Sequence, residues 1–332
     1  MKALVIVEPG RVEIRDIVKP TPDKGEVLLR VGVVGFCGSD KKTYLGENAM
    51  VVGPRIPGHE IGATIAEIGS GVPSRLKVGM NCTVLPYTEC GRCSACEQKR
   101  INTCENNQTA GVQRDGAMCE YIAVPHGKII TSDKLTLSEL ALVEPLTVGF
   151  HAVDRGSVSK NGADKVLVMG VGAVGLGAIA GAKNRGNDVT AWIRSRDKVK
   201  IAEAMGASGI YIPTNDFPQS HYNVVIEATG AGEMISRALD AVQTAGRVVY
   251  VGYASGDVVL PNFSLLTKKE ADVFGSRNAT INDFNEVIQM MEAGRLPVEQ
   301  LVSREVSLEN AGDALKQWSE GGSAIRILVN VS

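Results

Sequence analysis

A glycine-rich turn between an apolar strand and a helix is the feature that most restricts the fold of this 332-residue chain. The residues Gly170-Val-Gly172-Ala-Val-Gly175 directly follow the apolar run 166–169 and open a helical segment that continues to about Arg185. In this context a G-x-G-x-x-G pattern predicts a dinucleotide-binding site, with the pyrophosphate bound at the helix N-terminus. The first glycine permits the tight turn, the second admits the pyrophosphate, and the third allows close helix packing. The alternative is a purely structural glycine-rich turn.

Strands and helices continue to alternate after this turn. Apolar runs recur at 188–193, 223–228 and 247–251, and the segments between them have the apolar spacing of helices. Continuous apolar runs are typical of strands buried on both faces, so the pattern predicts βαβ units and a doubly wound parallel sheet. The predicted cofactor contacts in this region are Gly170, Gly172, Ala173, Val174, Gly175, Thr229, Gly252 and Ser276.

The end of the second predicted strand carries positive charge where a carboxylate is expected. An acidic residue about 20 positions into this unit normally binds the adenosine ribose of NAD. Here that position is Ile193, and Arg194, Ser195 and Arg196 follow it. These side chains would bind a 2′-phosphate through charge-assisted hydrogen bonds, so we predict a preference for NADP over NAD. The alternative is an ordinary solvated strand end, partly neutralised by Asp197.

Composition divides the chain into three segments. Residues 1–150 are rich in glycine, proline and short β-branched runs, which predicts a β-rich first domain with many turns. Residues 151–280 are predicted to form the dinucleotide-binding domain, and we expect residues 281–332 to return to the first domain. Apolar residues make up 44% and charged residues 22% of the chain, values typical of globular proteins that exclude collagen-like and coiled-coil classes. The predicted fold class is α/β.

Charge and hydropathy exclude two kinds of partner. The chain has 35 basic and 37 acidic residues with no like-charge block, so nothing indicates binding to nucleic acid or to a membrane surface. The longest uncharged stretch, 166–182, is shorter than the roughly 18 residues of a membrane-spanning helix and contains five glycines. The apolar run 3–7 is too short for a signal-peptide core. We therefore expect a cytoplasmic protein, and its seven cysteines suit metal binding or free thiols in a reducing compartment.

Four thiols lie within fifteen residues, at Cys90, Cys93, Cys96 and Cys104. Four soft ligands at this spacing are typical of a structural zinc with every position closed. A bacterial ferredoxin run would bring its fourth cysteine after three residues and follow it with proline, whereas here Glu105 follows. The pattern predicts a structural-zinc lobe over about 88–106, with a redox Cys-x-x-Cys pair as the alternative.

A second set of ligand-type residues is dispersed over the first domain. Cys37 lies in Cys-Gly-Ser39-Asp, His59 and Glu60 in Gly-His-Glu, and Glu144 in Glu-Pro-Leu. Cysteine, histidine and glutamate together supply the mixed sulfur, nitrogen and oxygen ligands of a catalytic zinc that keeps one position for water or substrate. The remaining histidines are predicted to be structural: His126, His151 and His221.

These motifs and their order resemble the zinc-dependent medium-chain alcohol dehydrogenase family over essentially the whole chain. The resemblance implies a GroES-like catalytic domain and a Rossmann coenzyme domain. Glu144 in Glu-Pro-Leu is similar to the polyol and sugar dehydrogenase branch, such as sorbitol and galactitol-phosphate dehydrogenases, and the segment 268–280 is similar to sugar-acid dehydrogenases of the L-galactonate type. Two positions depart from the family pattern. Ala63 replaces a glycine, with Gly62 beside it, which predicts a small local adjustment, and Lys42 replaces a histidine of the family's proton relay.

The resemblance also implies roles for the dispersed residues. Cys37 and His59 are expected to bind the catalytic zinc directly, and Glu60 and Glu144 to be ligands that exchange with water or substrate. Asp40 is expected to orient His59. The implied metal content is two zinc ions per chain, one catalytic and one structural.

Ser39 is predicted to carry the proton of the alcohol, while the carbinol hydride passes to the nicotinamide. The predicted substrate contacts are Tyr44, Arg277 and Asn278. Arg277 would clamp a carboxylate or phosphate, with a backbone or cofactor contact as the alternative. Tyr87 and Phe36 are candidate pocket walls, with core packing as the alternative for Phe36, and Cys82 and Cys119 are predicted to be small core residues.

Three hypotheses for function follow. The leading one is a zinc-dependent NAD(P) oxidoreductase that interconverts a secondary alcohol of a polyol, sugar or sugar acid with its ketone. A second is an L-threonine or simple secondary-alcohol dehydrogenase. A third is a non-catalytic dinucleotide-binding relative, against which the joint presence of the ligand-type residues argues. The run 248–253 resembles the edge by which family members pair, so a homodimer or homotetramer is expected.

Overall fold

The computed structural model describes residues 1–213, 217–254, 256–322 and 324–331. The six other positions, which all fall inside the predicted second and third segments, lie outside the described residues. The strands of the described part are β1 (Lys2–Glu8), β2 (Arg11–Asp16), β3 (Glu26–Gly35), β4 (Glu60–Ile68), β5 (Asn81–Val84), β6 (Tyr121–Pro125), β7 (Ile129–Thr131), β8 (Lys165–Met169), β9 (Asp188–Trp192), β10 (Gly209–Tyr211), β11 (Tyr222–Glu227), β12 (Val242–Tyr250), β13 (Asp272–Gly275), β14 (Val302–Ser307) and β15 (Arg326–Asn330).

The α-helices of the same residues are α1 (Gly38–Tyr44), α2 (Ser94–Glu97), α3 (Leu137–Ala141), α4 (Val143–Arg155), α5 (Ala173–Asn184), α6 (Val199–Ala204), α7 (Gly232–Ala241), α8 (Ser264–Lys269), α9 (Ile281–Glu292) and α10 (Ala311–Ser319). Within the described ranges, none of these helices has both the length and the apolar character needed to cross a membrane.

The chain divides into two compact units. Unit 1 comprises Met1–Glu144 and Thr280–Ser332, and unit 2 comprises Pro145–Ala279. The first boundary between the units, between Glu144 and Pro145, falls within helix α4. It lies six residues before the boundary that the sequence predicts, after residue 150. A continuous helix runs through this point, so the local sequence has no break in composition to mark it.

Unit 1 is rich in β-structure. Its main sheet follows the strand order β14-β15-β3-β4-β5-β7, with β6 also paired to β3, and β1 and β2 form a separate antiparallel pair. Strand β3 lies at the centre of the main sheet, and nearly all of its residues are buried because valine and leucine fill both of its faces. This β-rich unit agrees with the predicted GroES-like class.

A bulge in strand β3 accounts for the local departure predicted around Gly62 and Ala63. Val31 pairs with Ala63 but Val33 pairs with Gly62, so one residue is inserted at Gly32. A Cβ atom on Gly62 would lie 1.9 Å from the carbonyl oxygen of Leu137, which is the first residue of helix α3. Glycine therefore fits at 62, where the helix lies against the strand, while Ala63 packs in the core.

Unit 2 contains the predicted doubly wound parallel sheet. Its strand order is β10-β9-β8-β11-β12-β13, and every adjacent pair is parallel. The apolar runs of the sequence occupy these strands and are buried on both faces, which confirms the predicted fold class. The order reverses between β8 and β11, and ligands of such sheets bind at the carboxyl ends of the strands near this reversal.

Candidate active site and metal centres

The first candidate site lies where strand β3 leads into helix α1. Cys37 is the N-cap residue of this helix, and its N–H donates to Oδ2 of buried Asp40 over 2.8 Å. The hydroxyl of Ser39 is buried and has no hydrogen-bond partner among the described residues. Buried hydroxyl groups are normally paired in proteins, so this one is suited to pair with a bound ligand.

Three ligand atoms of different chemistry converge at the start of helix α1. The Cys37 sulfur, a ring nitrogen of His59 and a carboxylate oxygen of Glu60 all lie within 4.8 Å of one another. A tetrahedral zinc with sulfur, nitrogen and oxygen ligands holds such atoms roughly 3.3 to 3.8 Å apart, so the spacing fits zinc with little adjustment. Oε1 of Glu60 is buried and lacks a hydrogen-bond partner within the described ranges, so it is available to a cation.

The electrostatics of this pocket also suit a cation. Burial lowers the pKa of His59, but the negative charges of Cys37, Glu144 and Asp40 outweigh burial and raise it well above its ordinary value. Burial raises the pKa of Glu60 to about 7, although Arg326 acts in the opposite direction. Several acidic groups thus share one water-poor pocket, and a bound metal ion would offset their mutual repulsion.

Glu60 reaches across the central strand to form an ion pair. Its Oε2 lies 3.1 Å from Nε of Arg326, the first residue of strand β15, although the angle is not that of a hydrogen bond. The strand between them contributes Gly35, whose partners in the sheet are Glu60 and Leu328. A Cβ atom on Gly35 would lie 2.3 Å from Glu60 Oε2, so only glycine leaves room for this carboxylate.

Glu144 shares the pocket without belonging to the group of three converging atoms. Its charge raises the pKa values of His59 and Glu60. The hydroxyl of Tyr87 donates a hydrogen bond to Oε1 of Glu144, and both side chains are buried.

The four cysteines of the predicted lobe converge as well. The sulfur atoms of Cys90, Cys93, Cys96 and Cys104 lie within 4.8 Å of one another. Those of Cys93 and Cys104 are 3.9 Å apart, close to the roughly 3.8 Å between two sulfur ligands of a tetrahedral zinc. The N–H of Arg92 and the side-chain amide of Asn106 lower the pKa of Cys90 to about 6, which favours the thiolate that binds metal.

The glycine turn of unit 2 has the geometry that a pyrophosphate site needs. Gly170 has a φ of +99°, which other residues adopt only with strain. A Cβ on Gly175 would lie 1.8 Å from the carbonyl oxygen of Gly170, whereas a Cβ on Gly172 would meet nothing within 4 Å. The third glycine therefore allows the helix to pack on the strand, and the second leaves open space at the N-terminus of α5, which begins with Ala173 and Val174.

The other predicted cofactor residues lie at the carboxyl ends of the same parallel strands. Arg194, Ser195 and Arg196 follow β9 and are exposed. Thr229 follows β11, Gly252 follows β12 and Ser276 follows β13. The Ser276 hydroxyl is buried and, like that of Ser39, has no hydrogen-bond partner among the described residues.

Two family models match the chain, an alcohol dehydrogenase GroES-like domain over residues 23–134 and a zinc-binding dehydrogenase over residues 173–293. L-galactonate-5-dehydrogenase of Escherichia coli is 31% identical over 318 residues, which cover 91% of each chain. Sorbitol dehydrogenase of Bacillus subtilis is 32% identical over 336 residues, which cover 96% of this chain and 93% of that protein. The chain belongs to the zinc-dependent medium-chain alcohol dehydrogenase family. It is an oxidoreductase of the polyol dehydrogenase branch, as Glu144 in Glu-Pro-Leu predicts.

Solved structures agree with this assignment. A zinc-binding dehydrogenase of Sinorhizobium meliloti bound to NADP is 26% identical, with a TM-score of 0.91 over 99% of both chains. A further chain of this fold, at 26% identity, has been solved with NADH. The family therefore includes members with either nicotinamide dinucleotide.

The predicted substrate contacts of this dehydrogenase lie in different surroundings. Tyr44 packs in the core of unit 1, and its hydroxyl donates to the carbonyl oxygen of Gly10 over 3.0 Å. Arg277 and Asn278 are half-buried in unit 2, directly after strand β13, and Asn278 has a φ of +56°. The Tyr44 hydroxyl is thus engaged by the main chain of unit 1.

Sequence reasoning missed two buried charged residues of this dehydrogenase. Arg326 opens a terminal strand whose next three residues are apolar, and Glu227 ends the apolar run of β11. The Glu227 carboxylate accepts hydrogen bonds from the N–H groups of Thr229, over 2.7 Å, and Gly230, over 3.2 Å. The available signal was the charge itself, since a lone charge inside a buried strand requires a nearby partner. For Arg326 the sequence cannot identify that partner, because it depends on which strands are neighbours.

Proposed function

We propose that this dehydrogenase oxidises a secondary alcohol of a polyol, sugar or sugar acid to the ketone, and catalyses the reverse reduction. The observation that carries the proposal is the convergence of ligand atoms from Cys37, His59 and Glu60, together with the unpartnered hydroxyl of Ser39 two residues after Cys37. The relatives named for L-galactonate and sorbitol support the substrate class. A nicotinamide dinucleotide supplies the hydride acceptor.

The residues of unit 1 are proposed to have the following roles. Cys37 and His59 would hold a catalytic zinc, with Glu60 and Glu144 as ligands that exchange with water or substrate. Zinc bound there supplies a Lewis acid that lowers the pKa of the alcohol hydroxyl. The Ser39 hydroxyl then receives the alcohol proton and passes its own towards solvent. Asp40, whose negative charge acts on His59, is proposed to orient its ring.

A second zinc, held by the four-cysteine lobe, would be structural. Its proposed ligands are Cys90, Cys93, Cys96 and Cys104, which leave no position for substrate. Its proposed role is to fix the loop over 88–106, which contains only short helices of its own.

For the cofactor, we propose that the pyrophosphate binds at the glycine turn and the N-terminus of α5. Thr229, Gly252 and Ser276 would complete the site, since they follow neighbouring parallel strands. Arg194, Ser195 and Arg196 would bind the 2′-phosphate of NADP, which makes NADP the preferred coenzyme. Their exposure supports this proposal because a bound phosphate can reach them directly.

The test is steady-state reduction of NAD⁺ and NADP⁺, side by side, against polyols, aldonates, sugar phosphates and L-threonine, with zinc counted on the same protein. Turnover of one hydroxylated substrate with about two zinc ions per chain would support the proposal. Turnover of L-threonine alone would favour the amino-alcohol alternative, and full zinc content without any turnover would favour a non-catalytic relative.

A matched pair of serine variants tests the proton path. Ser39→Ala is expected to lower kcat by about 10² to 10⁴ with zinc content unchanged, because general acid and base steps contribute this much. Ser74→Ala, in an exposed loop, is the control and should retain full activity. An S39A enzyme with wild-type kcat would remove Ser39 from the mechanism.

We also propose a homodimer or homotetramer in the cytoplasm. Large apolar side chains stand exposed in the chain after strand β12, among them Tyr253, Val259 and Phe263, and at Val273 of the edge strand β13. None of the seven cysteines forms a disulfide bond, which suits a reducing compartment. Light scattering on the purified enzyme tests the oligomer, and a single monomeric mass would contradict it.

A further inference from the structure

We propose that Tyr87 is a positioning residue for Glu144. The Tyr87 hydroxyl donates a hydrogen bond to Oε1 of Glu144, and the two side chains are only 5% and 4% exposed. Engagement of Oε1 restricts the rotation of the carboxylate and so the direction from which Glu144 can approach zinc. This inference rests on the proposed function, in which Glu144 is a ligand of the catalytic zinc.

The main chain that carries Tyr87 is held firmly on both sides. The carbonyl oxygen of Pro86 accepts from the N–H of Ala110 over 3.0 Å. The N–H of Thr88 donates to Oδ1 of Asn107 over 3.1 Å. A phenol on a pinned segment has few positions available, so its hydroxyl defines one position for the carboxylate that accepts from it.

The position of Glu144 at the start of a helix also favours its negative charge. It lies in the first turn of helix α4, where a negative charge is stabilised by the helix N-terminus. Its charge acts on His59 and Glu60, so the carboxylate and the converging ligand atoms share one electrostatic environment. A small rotation of the Glu144 carboxylate therefore changes the field at the proposed zinc position.

The hydrogen bond has a clear consequence for metal retention. Partners that hold a metal ligand in place typically affect metal affinity by about 10- to 100-fold. Loss of the Tyr87 hydroxyl removes the hydrogen bond but keeps the aromatic ring that fills the space. The catalytic zinc should then be released more readily, while the four-cysteine zinc is unaffected and serves as an internal reference.

The test compares zinc release from the zinc-loaded wild-type enzyme and Tyr87→Phe in the presence of a competing chelator. The expected result is a catalytic zinc bound 10- to 100-fold more weakly in Y87F, with the second zinc retained and the thermal midpoint nearly unchanged. The matched control is Tyr250→Phe, which removes a hydroxyl that donates to the carbonyl oxygen of Ile235 over 2.9 Å in unit 2. Y250F should release zinc as the wild type does.

A double-mutant cycle with Glu144→Ala separates the possible outcomes. If Tyr87 acts through Glu144, the Y87F change will have no further effect on zinc release in the E144A background. Equal zinc release from Y87F and wild type, or additive effects of Y87F and E144A, would overturn the inference. If wild type holds only one zinc, or E144A retains both zinc ions like the wild type, the proposed ligand set fails instead.

Discussion

Nε of Arg326 lies 3.1 Å from Oε2 of Glu60, and the two side chains are 8% and 0% exposed. The residues belong to β15 and β4, which are not neighbours in the sheet, because β3 runs between them. Gly35 of β3 leaves the space through which the carboxylate reaches the guanidinium group. The Glu60 carboxylate of the candidate zinc site is therefore paired with an arginine of strand β15.

Removal of one member of this ion pair should be strongly destabilising. Arg326→Met leaves Glu60 buried without its partner charge, and we expect a loss of about 3 to 5 kcal/mol in the free energy of unfolding. The double variant R326M/E60Q should recover most of that loss. Urea unfolding of the zinc-saturated proteins measures both, with Arg304→Met, whose guanidinium donates to exposed Gln317, as the control. A loss in R326M no larger than in R304M would show that the pair contributes little.

The two arginines after β9 should determine coenzyme choice. Each charge-assisted hydrogen bond to a phosphate contributes about 1.5 to 3 kcal/mol, so Arg194→Ala should raise the KM for NADP⁺ about 10- to 100-fold. The KM for NAD⁺ should change little, because NAD⁺ has no 2′-phosphate. Arg237→Ala, which removes an exposed arginine paired with Glu233 on helix α7, is the control. An equal change in both KM values would contradict the proposed role.

The four-cysteine lobe should depend on its metal. Cys104→Ser is expected to lose one zinc per chain and to expose the segment 88–106 to proteolysis, because this loop contains little other regular structure. Cys82→Ala, which changes a buried core cysteine outside the lobe, should keep both zinc ions. Metal analysis and limited proteolysis of the two variants provide the measurement. A C104S protein with unchanged zinc content would remove Cys104 from the ligand set.

The thiols of Cys82 and Cys119 should not react in the folded protein. Burial raises the pKa of each to about 12, and the two side chains are almost fully buried. At pH 8 the thiolate fraction of such a group is about one part in 10⁴. Mass spectrometry after iodoacetamide treatment should find both residues modified only in denaturant. Rapid modification under native conditions would mean that these positions open readily.

Glu227 should make stability depend on pH in a defined direction. Burial raises its pKa in the folded protein above the ordinary value of 4.5, although Thr229 and Gly230 donate hydrogen bonds to it. The folded state therefore keeps the proton where the unfolded state has released it. The stability that this difference contributes is present below about pH 4.5 and is lost as pH rises through the folded pKa.

Glu227→Gln does not titrate at this position and isolates the effect. As pH rises above about 4.5, the wild type should lose stability relative to E227Q, by at most about 1.4 kcal/mol per pH unit. Urea unfolding of both proteins between pH 4.5 and 7.5 gives this difference, and other groups cancel in the comparison. A difference that is constant, or that favours the wild type as pH rises, would contradict the raised pKa.

Much of the fold can be predicted from local patterns in the sequence. The glycine turn, the buried apolar runs and the helical spacing between them predict the parallel sheet of unit 2, because a strand buried on both faces must be apolar throughout. The boundary inside helix α4 does not follow from the sequence, since helix propensity continues through it. The bulge at Gly32 was indicated only indirectly, by the exchange of glycine and alanine at positions 62 and 63.

The sequence by itself determined which chemistry is available to this protein. Cysteine, histidine and glutamate motifs, the four-cysteine run and the glycine turn specify the donor atoms and the backbone freedom that zinc and a dinucleotide need. The tertiary structure alone decided two partners of the buried charges: Arg326 for Glu60 and Tyr87 for Glu144. Both are contacts between residues far apart in the chain, and no local pattern encodes them. They depend on strand order, on register and on whether a glycine such as Gly35 leaves room for a side chain to pass.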